Sequence, residues 1–263
     1  MRTILIGITG ASSSGKSTLA CLLQKILPST EIIHEDDFFK QEKDVPFDPI
    51  REDRDWDCPD AIDIDAMKQT LRVLSDPTKY SNNPKAVVKK TDKGYYDYGM
   101  TSTEPPKNDA NFKNNEDIIS NLKDIVNKRL LNSDHEQFRI FLLDGFLVLP
   151  DIELLNMFAF TLFFKTNYQS LKGRRQIRLY TVEGNVWLDP PGYFDKFVWP
   201  GYYTYHKDLF VNGEDESYVK DTGGILKKEI MKKYNVYEFD NNDDCDADNL
   251  IKNVLTLVIN KLF

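Results

Sequence analysis

The sequence predicts an α/β fold in which a parallel sheet carries a phosphate-binding loop at one edge. Three observations predict it. Short apolar runs alternate with stretches of helical periodicity, the first run leads into a Gly/Ser-rich loop ending in Gly15-Lys16-Ser17, and acidic residues follow later runs. Strands that alternate with helices are typical of a parallel sheet covered on both faces.

The predicted strands are short runs of β-branched and apolar residues, and the predicted helices have apolar residues at a spacing of three or four. The strands are Thr3 to Ile8, Glu31 to His34, Ile140 to Leu143, Phe158 to Phe164 and Val236 to Phe239. The helices are Ser17 to Leu27, Ile62 to Leu74, Ile118 to Leu131, Tyr168 to Tyr180, a stretch around Tyr203 to Phe210, and Ala247 to Leu262.

One segment breaks this alternation. Residues 77–115 contain four prolines and many Asn and Lys residues, which favours a surface insertion. Within it, Ala86 to Lys90 and Tyr95 to Tyr98 flank a turn-like Asp92-Lys93-Gly94, which suggests a hairpin. We therefore predict a single domain over 1–263 that carries one insertion.

Composition excludes several classes of protein. The chain has 34 Lys and Arg against 42 Asp and Glu, a net charge of −8, which argues against a dedicated nucleic-acid binder. No apolar run reaches the roughly 18 to 20 residues of a membrane span, so we expect no membrane association. The three cysteines, Cys21, Cys58 and Cys245, are widely spaced and support neither disulfides nor a zinc ribbon. A cytoplasmic protein is expected.

The strongest signal is the loop that follows the first predicted strand. It matches GxxxxGK(S/T), and small residues there let successive backbone N–H groups face phosphate oxygens. Lys16 would reach the β- and γ-phosphates of ATP, and Ser17 would ligate Mg²⁺. The alternative is a Gly/Ser turn in which Ser17 only caps the helix. The predicted nucleotide-binding residues are Gly10, Ala11, Ser12, Ser13, Ser14, Gly15, Lys16, Ser17 and Thr18.

Carboxylates follow two other strands at the edge where ligands of open α/β sheets bind. Asp36 and Asp37 come after the second strand, and Asp144 ends the strand at Phe141 to Leu143 beside Gly145. Together with Ser17, Asp36 and Asp144 are the predicted metal-side residues. The alternative for Asp36 and Asp37 is a solvated acidic loop. The alternative for Asp144 is that it only caps a helix.

Two further features suggest a kinase rather than a GTPase. The string closest to a guanine-reading NKxD, which starts at Asn127, lacks the Asp and lies in a predicted helix. The basic cluster from Lys172 to Arg178 suggests contact with an anion, because arginine can neutralise the charge on a transferring phosphoryl group. A solvated helical face is the alternative, above all for Arg174. An aromatic and proline-rich loop follows at 187–200 and is expected to line a pocket.

These strings together resemble the nicotinamide riboside kinases, in the uridine-kinase-like branch of the nucleoside kinases. The resemblance spans nearly the whole chain, and its most specific parts lie at 36–40 and 191–200. The matching pieces are the phosphate loop, Asp36-Asp37-Phe38-Phe39-Lys40, Trp56-Asp57-Cys58-Pro59-Asp60, Asp144-Gly145-Phe146, Arg174 to Tyr180, and Pro191-Gly192-Tyr193-Phe194-Asp195 with Trp199-Pro200.

The resemblance implies a P-loop kinase fold: a five-stranded parallel sheet flanked by helices, with a lid helix in a lid region at 172–192. It implies transfer of the γ-phosphate of ATP, with Mg²⁺, to the 5′-hydroxyl of nicotinamide riboside; nicotinic acid riboside is a second candidate substrate. Two departures are a longer insertion at 77–115 and Asp144 where Glu is also found.

By position, the resemblance gives each site residue a role. Asp36, Lys16 and Arg175 are the implied catalytic residues, with Asp36 as the base. Asp57 and Arg175 hold the ribose hydroxyls, and Trp56 and Tyr180 face the nicotinamide ring. Arg174 and Arg178 join the nucleotide-binding residues.

Independently of the resemblance, an aromatic pair suits a pyridinium cation through stacking and cation–π attraction. A neutral pyrimidine also stacks, so a uridine- or cytidine-type kinase stays open. A non-catalytic P-loop nucleotide-binding protein is the third alternative.

Overall fold

The computed structural model describes residues 2–76, 116–132, 138–177, 180–182, 185–187 and 189–263. Only the backbone is described at 116–118, 130–132, 180–182 and 185–187. The predicted insertion at 77–115, with its hairpin, lies outside the described residues, as does Arg178.

Five parallel strands form the central sheet, in the order β2-β5-β1-β6-β9. All five coincide with predicted strands, so the α/β fold class is confirmed. The strands in chain order are β1 (Arg2–Gly10), β2 (Thr30–His34), β3 (Phe47–Asp48), β4 (Asp53–Arg54), β5 (Phe138–Gly145), β6 (Phe160–Lys165), β7 (Tyr180–Val182), β8 (Asn185–Trp187) and β9 (Val236–Asp240). The short pairs β3–β4 and β7–β8 are antiparallel hairpins outside the sheet.

Helices cover both faces of the sheet. They are α1 (Lys16–Ile26), α2 (Ile64–Ser75), α3 (Glu116–Asn132), α4 (Ile152–Met157), α5 (Tyr168–Gln176), α6 (Trp199–His206), α7 (Glu216–Thr222), α8 (Lys228–Tyr234) and α9 (Ala247–Leu262). The sequence predicts α9 to the residue and α1, α2 and α3 to within a few residues. It does not predict the short helices α4, α7 and α8, because six or seven residues are too few for a helical period to stand out.

Two predicted helices have wrong boundaries. The stretch predicted around Tyr203 to Phe210 overlaps α6 only in part, because α6 begins at Trp199 and ends at His206, where a 3₁₀ turn at Lys207–Leu209 follows. The helix predicted over Tyr168 to Tyr180 ends at Gln176, and Tyr180 instead begins β7, where it pairs with Trp187. Tyr, Thr and Val at 180–182 favour a strand, and the pairing with β8 satisfies their backbone groups in that conformation. Tyr180 therefore belongs to a hairpin rather than to the helix that carries Arg175.

The alternation of side chains along β1 divides the core into two halves. Ile4, Ile6 and Ile8 pack with α1, α3 and α9 on one face. Leu5 packs on the other face with residues of α2 and β5, among them Met67 and Phe141. Among the described residues, no helix is long and apolar enough to cross a membrane.

The parallel register brings three loops to one edge of the sheet. Ile8 of β1 and His34 of β2 both pair with Asp144 of β5. The phosphate loop after β1, the acidic turn after β2 and the turn after β5 therefore leave the sheet side by side, as expected for the ligand edge of an open α/β sheet.

Candidate active site

The predicted phosphate loop connects β1 directly to α1, which begins at Lys16. Gly10 and Gly15 both have positive φ, of 150° and 93°, and a Cβ at Gly10 would clash with the backbone oxygen of Phe164. Glycine is therefore required at these two bends. The Lys16 side chain is only 8% exposed, and its Nζ donates to the carbonyl oxygen of Ala11 at 3.5 Å. The chain thus has the strand–loop–helix context that the motif requires.

The loop that follows β9 braces the phosphate loop, a contact that sequence reasoning missed. Asn241 donates from Nδ2 to the backbone oxygen of Ser14 at 2.7 Å, and a Cβ at Gly15 would clash with the same amide nitrogen. The only signal in the sequence was a pair of asparagines directly after the last strand.

Asp144 lies at the end of β5, between the turn after β2 and the phosphate loop. Its Oδ2 is 3.1 Å from Nδ1 of His34, and the side chain is buried. Burial acts to raise the pKa of Asp144, but the His34 hydrogen bond and the charge of Lys16 outweigh it and lower that pKa. The hydroxyl of Ser17 acts in the same direction. Asp144 is therefore an ionised carboxylate beside the first turn of α1.

The donor set around Ser17 and Asp144 fits Mg²⁺. The Oδ1 atom of Asp144 is buried and has no hydrogen-bond partner among the described residues, so one carboxylate oxygen is available as a ligand. Within the described ranges, no group of three or more His, Cys, Asp or Glu side chains forms a metal cluster. Mg²⁺ in phosphotransfer sites needs no such cluster, since waters and substrate phosphates complete its octahedral shell.

Glu35 is a site residue that sequence reasoning missed. Its side chain is fully buried, and Oε2 accepts hydrogen bonds from the backbone N–H groups of Phe146 at 2.6 Å and Leu147 at 3.0 Å. Burial raises the pKa of Glu35 to about 8, against the effect of these two bonds. Nothing in the string Glu35-Asp36-Asp37 distinguishes this buried carboxyl from its neighbours.

The two aspartates that follow Glu35 lie in different environments. Asp36, the predicted base, is exposed at the sheet edge, whereas Asp37 is partly buried. Burial raises the pKa of Asp37 to about 6, and the charge of His34 opposes that rise. The more accessible carboxylate is thus the one to which the family resemblance assigns the role of base.

A second group of charged residues joins the predicted ribose-binding residues to the phosphate loop. Arg175 donates from Nε to Oδ2 of Asp189 at 2.6 Å, from a second nitrogen to Oδ1 at 3.2 Å, and from a third to the hydroxyl of Ser12. Asp57 is buried near this arginine. Burial raises the pKa of Asp57 to about 6, while the Arg175 charge lowers it. Asp57 and Arg175, predicted from distant parts of the chain, do lie together.

Trp56, the predicted base-stacking residue, is partly buried. Its ring meets Phe39 edge-to-face with centroids 5.5 Å apart, beside a small cluster of Val45, Cys58 and Ala61. The side chain of Tyr180 lies outside the described residues, so the predicted aromatic pair stays a prediction. Trp56 also keeps its alternative role as a core residue.

Arg174 turns toward the loop after β9. It donates from Nε to Asp243 at 2.9 Å and from a terminal nitrogen to the backbone oxygen of Asn241 at 2.8 Å. Asn241 is also the residue that braces the phosphate loop. Arg174 is therefore connected to the predicted nucleotide site through Asn241.

Comparison with proteins of known name decides the family. The chain is 34% identical over 237 residues to a nicotinamide riboside kinase of Schizosaccharomyces pombe, covering 88% of each chain. It is 30% identical over 251 residues to the enzyme of the same name from Saccharomyces cerevisiae, covering 92% of this chain and 90% of the relative. The chain belongs to the nicotinamide riboside kinase family. A human relative, nicotinamide riboside kinase 2, is 29% identical over 219 residues, with 82% of this chain and 73% of the relative covered. No protein-family model matches the chain.

In this member of the nicotinamide riboside kinase family, the predicted site residues form two groups. One surrounds Ser17 and Asp144 at the phosphate loop, and the other contains Asp57 and Arg175. The hydrogen bond from Arg175 to Ser12 links the two groups.

Proposed function

We propose that this chain transfers the γ-phosphate of ATP to the 5′-hydroxyl of nicotinamide riboside, which yields nicotinamide mononucleotide for NAD salvage. The observation that carries the proposal is the link from Arg175 to Ser12 of the phosphate loop, with the buried Asp57 close by. The closeness of this carboxylate to the phosphate loop supports a nucleoside as the phosphate acceptor. Membership of the nicotinamide riboside kinase family supports the choice of substrate.

In this proposal the phosphate loop holds ATP, and Lys16 contacts its β- and γ-phosphates. Ser17 and Asp144 would hold Mg²⁺, with Asp36 as a further candidate ligand. Bound Mg²⁺ would neutralise negative charge on the phosphates. Arg174 and Arg178 would complete the nucleotide site, within a lid region at 172–192.

The acceptor would bind on the Asp57 side. Asp57 accepts hydrogen bonds from the ribose hydroxyls and Arg175 donates to them, while Trp56 and Tyr180 stack on the pyridinium ring. The 5′-hydroxyl oxygen attacks the γ-phosphorus while Asp36 accepts the hydroxyl proton, and ADP leaves. Nicotinic acid riboside is a second candidate acceptor, and a cytoplasmic location fits this role.

An ADP-release assay tests the proposal with a panel of nicotinamide riboside, nicotinic acid riboside, uridine and cytidine. The Lys16→Ala variant serves as the control for contaminating kinases. We expect turnover of nicotinamide riboside that the control lacks. Turnover of uridine or cytidine alone would instead identify a pyrimidine nucleoside kinase, and no turnover of any nucleoside would identify a non-catalytic nucleotide-binding protein.

A further inference from the structure

The side chain of Asn241, in the loop after β9, holds one peptide group of the phosphate loop. Its Nδ2 donates to the backbone oxygen of Ser14 at 2.7 Å, and a Cβ at Gly15 would clash with the same nitrogen. The amide therefore contacts both residues that share the Ser14–Gly15 peptide bond. A carbonyl oxygen can only accept, so it is the NH₂ end of the Asn241 amide that faces the loop.

The backbone of Asn241 anchors this side chain to the end of the central sheet. Its N–H donates to the carbonyl oxygen of Lys165, the last residue of β6, at 3.0 Å. Its carbonyl oxygen accepts from the Thr166 hydroxyl at 3.2 Å and from a terminal nitrogen of Arg174 at 2.8 Å. These three bonds use only backbone atoms of Asn241, so a substitution of its side chain leaves them in place.

The bond to Ser14 sets the direction of the Gly15 N–H group. The Ser14 oxygen and the Gly15 hydrogen belong to one planar peptide, and no peptide bond among the described residues is cis. In a planar trans peptide, the C=O and N–H bonds point in opposite directions. Because the Ser14 oxygen faces Asn241, the Gly15 N–H points away from Asn241. Without this bond the peptide would rotate more freely, since glycine at a φ of 93° tolerates many backbone conformations.

Gly15 lies where the phosphates of a nucleotide would bind. It is the N-cap residue of α1, directly before Lys16. Backbone N–H groups at the start of a helix that follows such a loop donate to phosphate oxygens. A Gly15 N–H that turned in another direction would therefore remove one hydrogen bond from the bound phosphates.

We propose that Asn241 is a positioning residue for the nucleotide phosphates, which holds the Ser14–Gly15 peptide so that the Gly15 N–H donates to a phosphate oxygen. The inference rests on the proposed function for the kind of ligand, a nucleoside di- or triphosphate. It gives Asn241 no contact of its own with the nucleotide.

Binding of MgADP to Asn241→Ala, measured by titration calorimetry, tests the proposal. We expect the affinity to fall about tenfold, which is near the lower end of what one hydrogen bond to a charged group contributes. Asn242→Ala is the matched control, because Asn242 is the neighbouring asparagine and accepts a backbone hydrogen bond from Asn167 at 2.8 Å rather than contacting Ser14. This control should bind MgADP like the wild type.

The Gly15 amide gives a second readout, which a general loss of stability does not move. In amide proton–nitrogen correlation spectra, the Gly15 resonance of the wild type should shift when MgADP is added, because its N–H becomes bonded to a phosphate. At saturating MgADP, this shift should be much smaller in Asn241→Ala and should keep its wild-type size in Asn242→Ala.

If Asn241→Ala does not fold, Asn241→Asp takes its place, because it keeps the shape and loses the donor. Its control is Asn242→Asp, which adds the same charge one position away and keeps an acceptor oxygen for Asn167. Wild-type affinity in the Asn241 variant would overturn the proposal, as would a loss of affinity with an unchanged Gly15 shift.

The same measurements separate this inference from the proposed function. A wild type that binds MgADP but phosphorylates no nucleoside would refute the proposed function, while the comparison of Asn241 and Asn242 variants would still decide the role of Asn241. A wild type that does not bind MgADP would overturn the inference as well.

Discussion

The carboxyl group of Glu35 is bonded to the backbone of Phe146, with Oε2 accepting from the N–H group at 2.6 Å. This bond crosses from the turn after β2 to the turn after β5, and the Leu147 N–H at 3.0 Å reinforces it. Asp36 directly follows Glu35, and Asp144 precedes Phe146 by two positions. The spacing between Asp36, the candidate base, and Asp144, the candidate metal ligand, therefore depends on the buried Glu35.

Glu35 can be tested by comparing a Gln and an Ala variant. Burial raises the pKa of Glu35 to about 8, so a neutral Gln at this position matches its predominant form at pH 7 and keeps an acceptor oxygen. Glu35→Ala leaves two buried N–H groups unpaired, and we expect it to lower the free energy of unfolding by about 3 kcal/mol. Urea unfolding measures the free energy of unfolding of both variants and of the wild type. Equal destabilisation by Gln and Ala would contradict a bridge made by the acceptor oxygen.

Replacing Lys16 tests the phosphate cradle. We expect Lys16→Ala to abolish turnover and leave the melting temperature nearly unchanged, because a charge at the transferring phosphate is lost while the core is preserved. Lys25→Ala, on the exposed side of the same helix, is the matched control. Near wild-type kcat in Lys16→Ala would show that the loop does not bind the transferred phosphate.

Replacing Asp36 separates its two candidate roles. A general base acts in the transition state, so Asp36→Ala should lower kcat far more than it raises the nucleoside KM. If Asp36 is instead a metal ligand, raising the Mg²⁺ concentration should restore part of the lost rate. Steady-state kinetics at several Mg²⁺ concentrations measure this, with the exposed Asp44→Ala as the control. A change in KM alone would make Asp36 a binding residue.

The ribose role of Asp57 is tested with a 2′-deoxynucleoside. A buried carboxylate that accepts bonds from two ribose hydroxyls is left partly unpaired by a deoxy substrate, so the wild type should discriminate strongly against it. Asp57→Ala should weaken the binding of every ribonucleoside and reduce the preference for ribo- over deoxynucleosides. Values of kcat/KM for matched ribo- and deoxynucleosides check the point. Efficient phosphorylation of the deoxy substrate by the wild type would refute the role.

Buried His206 makes the stability of the fold depend on pH, with acid favouring the unfolded chain. Burial lowers its pKa to about 4 from an ordinary value of 6.5, although its Nδ1 bond to the Tyr202 oxygen at 2.8 Å opposes the shift. Between these two values the unfolded chain binds more protons than the folded one, so acid favours unfolding. The His206 contribution is fully present above pH 6.5 and is lost as the pH falls toward 4.

The measurement compares urea unfolding of the wild type and His206→Gln at pH 7 and pH 5. Between pH 7 and pH 5, the free energy of unfolding of the wild type should fall by about 2 kcal/mol more than that of the variant. Parallel losses in the two proteins would mean that His206 does not contribute to the pH dependence.

Much of the fold and of the candidate site could be predicted from local pattern. The five sheet strands are apolar runs, and α9 has a clear apolar stripe, so periodicity found them. The phosphate loop was recognisable because its glycines, Lys16 and Ser17 are contiguous and their spacing follows from the shape of a phosphate. Asp36 and Asp144 were found because they lie within two residues of the ends of predicted strands, at the ligand edge of the sheet.

Other features depended on contacts between distant segments. Glu35 is buried although its neighbour Asp36 is exposed, since the 3₁₀ turn at Glu35–Phe38 directs one carboxylate inward to the β5 turn. The end of α5 at Gln176 was decided by pairing between β7 and β8, which local helical periodicity does not reveal.

The sequence alone determined the fold class, the phosphate loop and the identity of most candidate site residues, because these follow from short-range pattern and residue chemistry. Only the tertiary structure decided how those residues act on one another. Asp189 and Arg175 are separated by fourteen positions and Ser12 and Arg175 by 163, yet all three meet at one point. Burial, charge pairing and pKa shifts depend on such distances in space, and the order of residues along the chain does not encode them directly.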